Sequence, residues 1–351
     1  MSDTRFKGYI GTYTKGDSKG IYSFTLDTEA GKITNVQVAA ELDNPTYLNI
    51  SDDNKYLYAV VKKGESGGVA GYTIGESGEL TSINTQVLAG SPPCHVSLDH
   101  QRQFLFSANY HKGTVESYSL TREHGMISPP VSIIQHVGNG PDPRQEKAHT
   151  HFAGLTPDEK YLVVVELGID KLFTYQVGDD GKLTEVSSLS VKPGSGPRHL
   201  AFHPNKKFAY IMTEFSSEVI ALTYNAEDGS FAEIQSIKTI PDDFTENNQG
   251  SAIHISSNGR FVYAGNRGHN SIAIFTINEE TGKLSLVDRV STEGDWPRDF
   301  VLDPTERFLI ASNQNSGNLV LYVRDQESGK LSLLQADVAV PDPVCVKFLH
   351  Y

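Results

Sequence analysis

Cysteine is scarce in this chain: two in 351 residues, Cys94 and Cys345. Neither has a CxxC or histidine-spaced partner, so the ligand spacing argues against a zinc site, and no metal or other cofactor is expected. Two isolated thiols read as reduced, structural cysteines of a cytoplasmic protein. Long hydrophobic runs are also missing. No segment approaches the ~20 apolar residues of a membrane-spanning helix. The opening stretch, MSDTRFKGYIGTYT, has no signal-peptide core and already alternates like a strand. Positive charge is in deficit, with 30 Lys+Arg against 43 Asp+Glu and a net charge of -13. That balance argues against a nucleic-acid backbone as partner, and the expected partners include neither nucleic acid nor membrane.

What the chain has is glycine (31), tyrosine (16) and phenylalanine (16), the composition of many strands and tight turns. One unit recurs. It opens with a small or polar residue and an alternating run, then a turn such as PDEK, PNKK, SNGR or PTER. An aromatic starts a second run. A third run leads to a glycine turn (DGKL, TGKL, SGKL), and a more polar fourth run closes the unit. The opening position and the aromatic are always ten apart: Thr46 to Tyr56, Cys94 to Phe104, His151 to Tyr161, Arg198 to Phe208, Ser251 to Phe261 and Arg298 to Phe308. Four short strands repeating every ~40–50 residues predict a β-propeller. A seventh opening strand, VCVKFLH, stands at the C-terminus with nothing after it, and the N-terminal runs FKGYIGTY, GIYSFTLD and ITNVQVAA supply its partners. The expectation is an all-β, seven-bladed propeller spanning 1–351 as a single domain, its last blade closed by both chain ends.

In such a fold the first strand of each blade lines the central channel, and the second runs back to the same face. The ring of opening residues is Thr46, Cys94, His151, Arg198, Ser251, Arg298 and Val344. The ring just past the second strands is Tyr13 (a looser alignment), Lys62, Tyr110, Leu167, Glu214, Arg267 and Gln314. His151, Arg198, Glu214, Arg267 and Arg298 come from four successive blades and should converge on one side of the channel mouth. Their excess positive charge on an acidic chain points to a small anionic ligand. Within HTH, His151 holds the ring register and His149 is the neighbour. Arg144 sits in an inserted loop, PDPRQEK, expected to overhang the mouth. His203 and Trp296 read as structural, the latter packed between blades. Glu166 and Asp170 either bound the mouth or end a strand.

GPRHLAFHPNKKFAYIMTE, PDPRQEKAHTH and AGNRGHNSIAIF resemble the seven-bladed propeller lactonase family of 6-phosphogluconolactonase type. The resemblance covers essentially the whole chain. It implies an ester hydrolase of the pentose phosphate pathway, with a catalytic cluster on His151, Arg198, Glu214 and Arg267. Lactone hydrolysis needs an activated water and positive charge where the oxyanion develops. His151, its pKa lowered by neighbouring arginines, and Glu214 form the expected base unit. Arg198 and Arg267 are the expected oxyanion groups. Arg298 and Arg144 are candidates for the phosphate, and His149, Lys62 and Tyr110 for substrate binding. Two other readings stay open at this point. One is a carboxymuconate-type lactonizing cycloisomerase. The other is a non-catalytic binding propeller, though the GH…WD signature of scaffold propellers is missing.

Overall fold

In a computed structural model that describes residues 4–101 and 103–351, every repeat folds as a four-stranded antiparallel sheet, and seven sheets are formed. Blade one runs Leu48–Ile50, Tyr56–Lys63, Ser66–Ile74 and Leu80–Ala89, from the innermost strand outward. Blades two to six follow in chain order, with innermost strands His95–Leu98, Thr150–Leu155, Pro197–Phe202, Gln249–Ile255 and Pro297–Leu302. In blade seven, Pro343–Phe348 pairs with Arg5–Thr12, followed by Gly20–Asp27 and Lys32–Glu41. The ring is therefore closed by both chain ends, as the sequence implies.

The core is seven apolar clusters, one between each pair of neighbouring blades. Blades four and five, for example, meet through Phe208, Tyr210, Met212, Val262, Ala264 and Phe275. Two-sided burial explains why second and third strands read as nearly continuous apolar runs rather than strict alternation. The glycine turn between the third and fourth strands has a second role. Its carbonyl accepts a hydroxyl from the preceding blade: Tyr9 to Gly78 (2.7 Å), Tyr58 to Gly125 (2.9 Å), Tyr210 to Gly282 (2.7 Å) and Tyr263 to Gly329 (2.7 Å). Where Phe106 and Val163 replace that tyrosine, the hydroxyl comes from the third strand instead, from Ser117 to Gly181 and from Thr174 to Gly229.

The first hairpin of each blade positions the site. Its register slips between Thr150 and Phe152, Pro197 and His199, Gly250 and Ile253, and Pro297 and Asp299. His151, Arg198, Ser251 and Arg298 thus sit in β-bulges. A bulge leaves its extra residue out of the ladder and re-aims its side chain, here toward the channel mouth.

Candidate active site

A cavity of about 430 Å³ occupies that mouth. His151, Glu214, Arg267 and Arg298 line it with Tyr110. Arg198 lies one layer deeper, in the floor, where it shares a small void with Arg298, Cys94 and His199.

Glu214 organises the floor. Its backbone is clamped between two blades: its N–H donates to the Gly196 carbonyl (2.7 Å), and its carbonyl accepts from the Gly250 N–H (3.0 Å). Its carboxylate therefore reaches an arginine on each side. Oε2 lies 3.6 Å from Arg198 Nε, and Oε1 lies 3.4 Å from Arg267 Nη2. Arg198 is also fixed by donating to the Ser251 carbonyl (2.7 Å), and Arg267 by donating to Gly250 (2.7 Å). All three side chains are largely buried, at 3%, 12% and 4% exposure. Two buried guanidiniums share one carboxylate, so a net positive charge remains. Burial is also what most lowers the pKa of Arg267, to about 9, with Arg198 and Arg298 adding to the effect. It stays cationic at neutral pH.

His151 is 4% exposed, and its Nδ1 is buried without a hydrogen-bond partner. Burial, then Arg198 and Arg298, hold its pKa well below the usual imidazole value. The sequence reading gave like charge as the cause; desolvation is the larger one, because the bulge turns the ring into the protein. His151 packs edge-on against His199 (5.2 Å between centroids) and Tyr110 (5.9 Å). Tyr110 remains a phenol, its pKa pushed up to about 12 chiefly by burial. Cys94 beside them is also pushed up to about 12 by burial, which leaves an inert thiol rather than a nucleophile.

The remaining predicted residues divide. His149 does not line the cavity. Its Nδ1 bonds the Tyr110 carbonyl (2.7 Å), its Nε2 bonds Glu146 (3.1 Å), and its ring stacks on Tyr110 at 4.2 Å. Arg144 stacks on Phe215 (3.8 Å) and pairs with Asp142 (3.3 Å). It reaches the site through Gln249: with that amide oriented to satisfy both ends, Gln249 accepts from Arg144 (3.2 Å) and donates to Glu214 Oε1 (3.1 Å). Lys62 lines a second lobe of the mouth rather than the cavity itself. Leu167 is fully buried. Glu166 ends its strand, Asp170 sits in the turn before the next one, and both staple loops: Glu166 accepts from Thr150 (2.6 Å) and contacts His136 (2.9 Å), and Asp170 accepts from the Gly194 and Gly196 amides (2.7 and 2.9 Å). His203 is structural as read, bonded to the Gly259 carbonyl (2.9 Å). Trp296 meets Arg267 of the neighbouring blade, 5.5 Å from its ring, and also lines the cavity.

Gln249 is not singled out by the sequence pattern, and Trp296 only as a packing residue, yet the sequence carries a signal for both. Both stand two residues before a ring position, as do Asn44 and Pro92, and all four line the cavity. Among the described residues, no three His, Cys, Asp or Glu side chains are grouped to hold a metal ion.

A family model described as "Lactonase, 7-bladed beta-propeller" matches residues 7–348. The chain is similar to 6-phosphogluconolactonase of Bacillus subtilis (strain 168), with 58% identity over 348 residues and 99% of each chain covered. A crystal structure of a protein from Lactobacillus plantarum superposes with a TM-score of 0.95 at 45% identity, covering 99% of this chain and 100% of that one. The periplasmic gluconolactonase of Pseudomonas aeruginosa superposes with a TM-score of 0.93 at 31% identity, covering 98% and 99%.

Proposed function

The chain belongs to the seven-bladed β-propeller lactonase family, and from that premise we propose that it hydrolyses 6-phosphogluconolactone to 6-phosphogluconate, a step of the pentose phosphate pathway. The observation that carries the reading is the floor of the mouth: one carboxylate, Glu214, holding two buried guanidiniums with charge to spare beside the neutral imidazole of His151.

His151 is the proton acceptor in this proposal. Both Glu214 oxygens already face arginines, whereas the His151 ring lines the cavity and no described residue hydrogen-bonds its nitrogens. A water bonds to the lactone carbonyl carbon as its proton passes to His151. The oxyanion that forms is stabilised by Arg267, with the charge of Arg198 behind it, in a site largely screened from solvent. Collapse breaks the bond from that carbon to the ring oxygen, which takes a proton back from the imidazolium. The products are a hydroxyl and a carboxylic acid that ionises. Glu214 fixes the guanidiniums and keeps them from repelling each other. Arg298, 5.3 Å from the Tyr13 ring, and Tyr110 hold the sugar above. Arg144 and His149 are positioning residues, acting through Gln249 and the Tyr110 loop.

Cytoplasmic location remains part of the proposal, supported by the unpaired thiols of Cys94 and Cys345. The test is acid release from freshly prepared 6-phosphogluconolactone, with glucono-δ-lactone and a carboxymuconate run beside it. Fast turnover of the first is expected. Turnover of the muconate alone, or of none, would reject the reading.

A further inference from the structure

The catalytic floor draws on blades three to six. The other side of the mouth is built by blades seven, one and two, and it carries its own cations. A second lobe of about 390 Å³ opens there, lined by Lys15, Lys62 and His111. They come from three successive blades, Lys62 near the end of its second strand and Lys15 and His111 in the loops just beyond theirs. Tyr13, Lys15, Asn44, Pro92 and His111 line both lobes, so the two are continuous.

The lysines of this lobe have no carboxylate partner among the described residues. Among the described residues the lysines paired with carboxylates include Lys182, Lys192 and Lys238, but neither Lys15 nor Lys62. Lys15 lies over the Tyr13 ring, 4.5 Å from its centroid. Arg198 and Arg267, by contrast, are already tied to Glu214. Among the described residues, the one acidic side chain lining the lobe is Glu65. Gly64 and Gly90 line the same wall, and a Cβ on Gly64 would meet open space, so a bulky group can approach bare backbone there.

We propose that this lobe is the phosphate subsite: Lys15 and Lys62 hold the phosphomonoester of the sugar lactone, and His111 donates a hydrogen bond to it. The inference rests on the lactonase reading above and adds where the phosphate goes. The phosphate hangs from the exocyclic carbon, outside the lactone ring and several bonds from the carbonyl. A substrate whose carbonyl meets Arg267 can therefore lay its ring past Arg298 and Tyr13 and place its phosphate between the lysines. This moves the phosphate away from Arg144, which is engaged with Phe215 and Asp142. His111 lies near Lys15, Lys147 and His149, and burial with these charges lowers its pKa, so it serves as a neutral donor.

The experiment compares kcat/KM for 6-phosphogluconolactone and glucono-δ-lactone in the wild type and in Lys15→Met/Lys62→Met, with calorimetric titration of 6-phosphogluconate into both. The expected result is a fall of about tenfold or more in the ratio of the two kcat/KM values, the loss of one or two charge-assisted hydrogen bonds. Affinity for 6-phosphogluconate should fall in parallel. Glu65→Gln should move the ratio the other way, by about twofold, because one nearby negative charge is removed at a screened surface. An unchanged ratio, or equal loss on both lactones, overturns the subsite. Should the wild type turn over neither lactone, lysine-dependent binding of 6-phosphogluconate would keep the subsite and discard the reaction; absence of such binding would discard both.

Discussion

Arg198 and Arg267 cannot both be buried without Glu214 between them. Removing that charge leaves two guanidiniums with backbone carbonyls but no carboxylate where water scarcely reaches, and breaking a buried pair costs about 3–5 kcal/mol. Glu214→Gln keeps the shape and removes the charge. It should lower kcat/KM by about 100-fold or more, as a lost preorganised charge does, and also lower the thermal midpoint. The sequence alone suggests an intact fold for this variant; the burial predicts that both readouts move. A steady-state assay and a melt on one sample separate the two effects. pH acts at the same scale. His95, His151 and His199 all have pKa values held well below 6.5, by burial first and then by cations including Arg198. They stay neutral in the fold while the unfolded chain takes up protons below about pH 6.5. Their contribution to stability is therefore complete above pH 6.5 and is lost as pH falls below it toward the depressed values. The melting midpoint should drop between pH 7 and pH 5, and His199→Gln should flatten that drop. If His151 is the base, the acid limb of kcat/KM should lie below pH 6.5, and His151→Asn should abolish it.

At the scale of the strand and turn, the bulge and the glycine turn do separate jobs. The bulges aim the ring residues, and the inner strand of blade five must lie close to blade four for this to work. Gly250 shows how close: a Cβ there would come within 2.0 Å of the Thr213 carbonyl oxygen. Gly250→Ala should push that strand outward, pulling the carbonyl that anchors Arg267, and lower kcat/KM by about tenfold or more, the size expected when catalytic groups shift by about an ångström. Unchanged kinetics would show that the strand has slack. The tyrosine-to-glycine-turn bond is structural and far from the mouth. Tyr210→Phe removes one buried hydroxyl bond and strands the Gly282 carbonyl, which should cost about 1–2 kcal/mol in a denaturant melt with activity unchanged. The repeat made the glycine turn legible in the sequence, but not the tyrosine that bonds it. Donor and acceptor lie 72 residues apart on different blades, beyond the reach of any local pattern.

At the scale of the molecule, closure is a single seam where the C-terminal strand joins the N-terminal ones. Phe348 packs edge-on against Phe24 across it, at 5.2 Å. Phe348→Ala should cost about 3–5 kcal/mol, the usual loss for a buried phenylalanine, and lower the midpoint of cooperative unfolding; a negligible shift would mean the seam is held elsewhere. The seven blades, their order and this seam were readable from the ten-residue step, because each blade is a local hairpin series whose pattern repeats. That same step found His151, Arg198, Glu214, Arg267 and Arg298, since equal register puts equal positions at one face. It could not tell that Arg198 forms the floor while Arg267 lines the cavity, that His149 is spent on Tyr110 and Glu146, or that Trp296 faces the mouth. Those outcomes depend on contacts between blades and on burial, which come from how far each bulge rotates a side chain. Local pattern decided which residues arrive at the mouth; only the packed ring decided how deep each lies, and depth sets the charge it keeps.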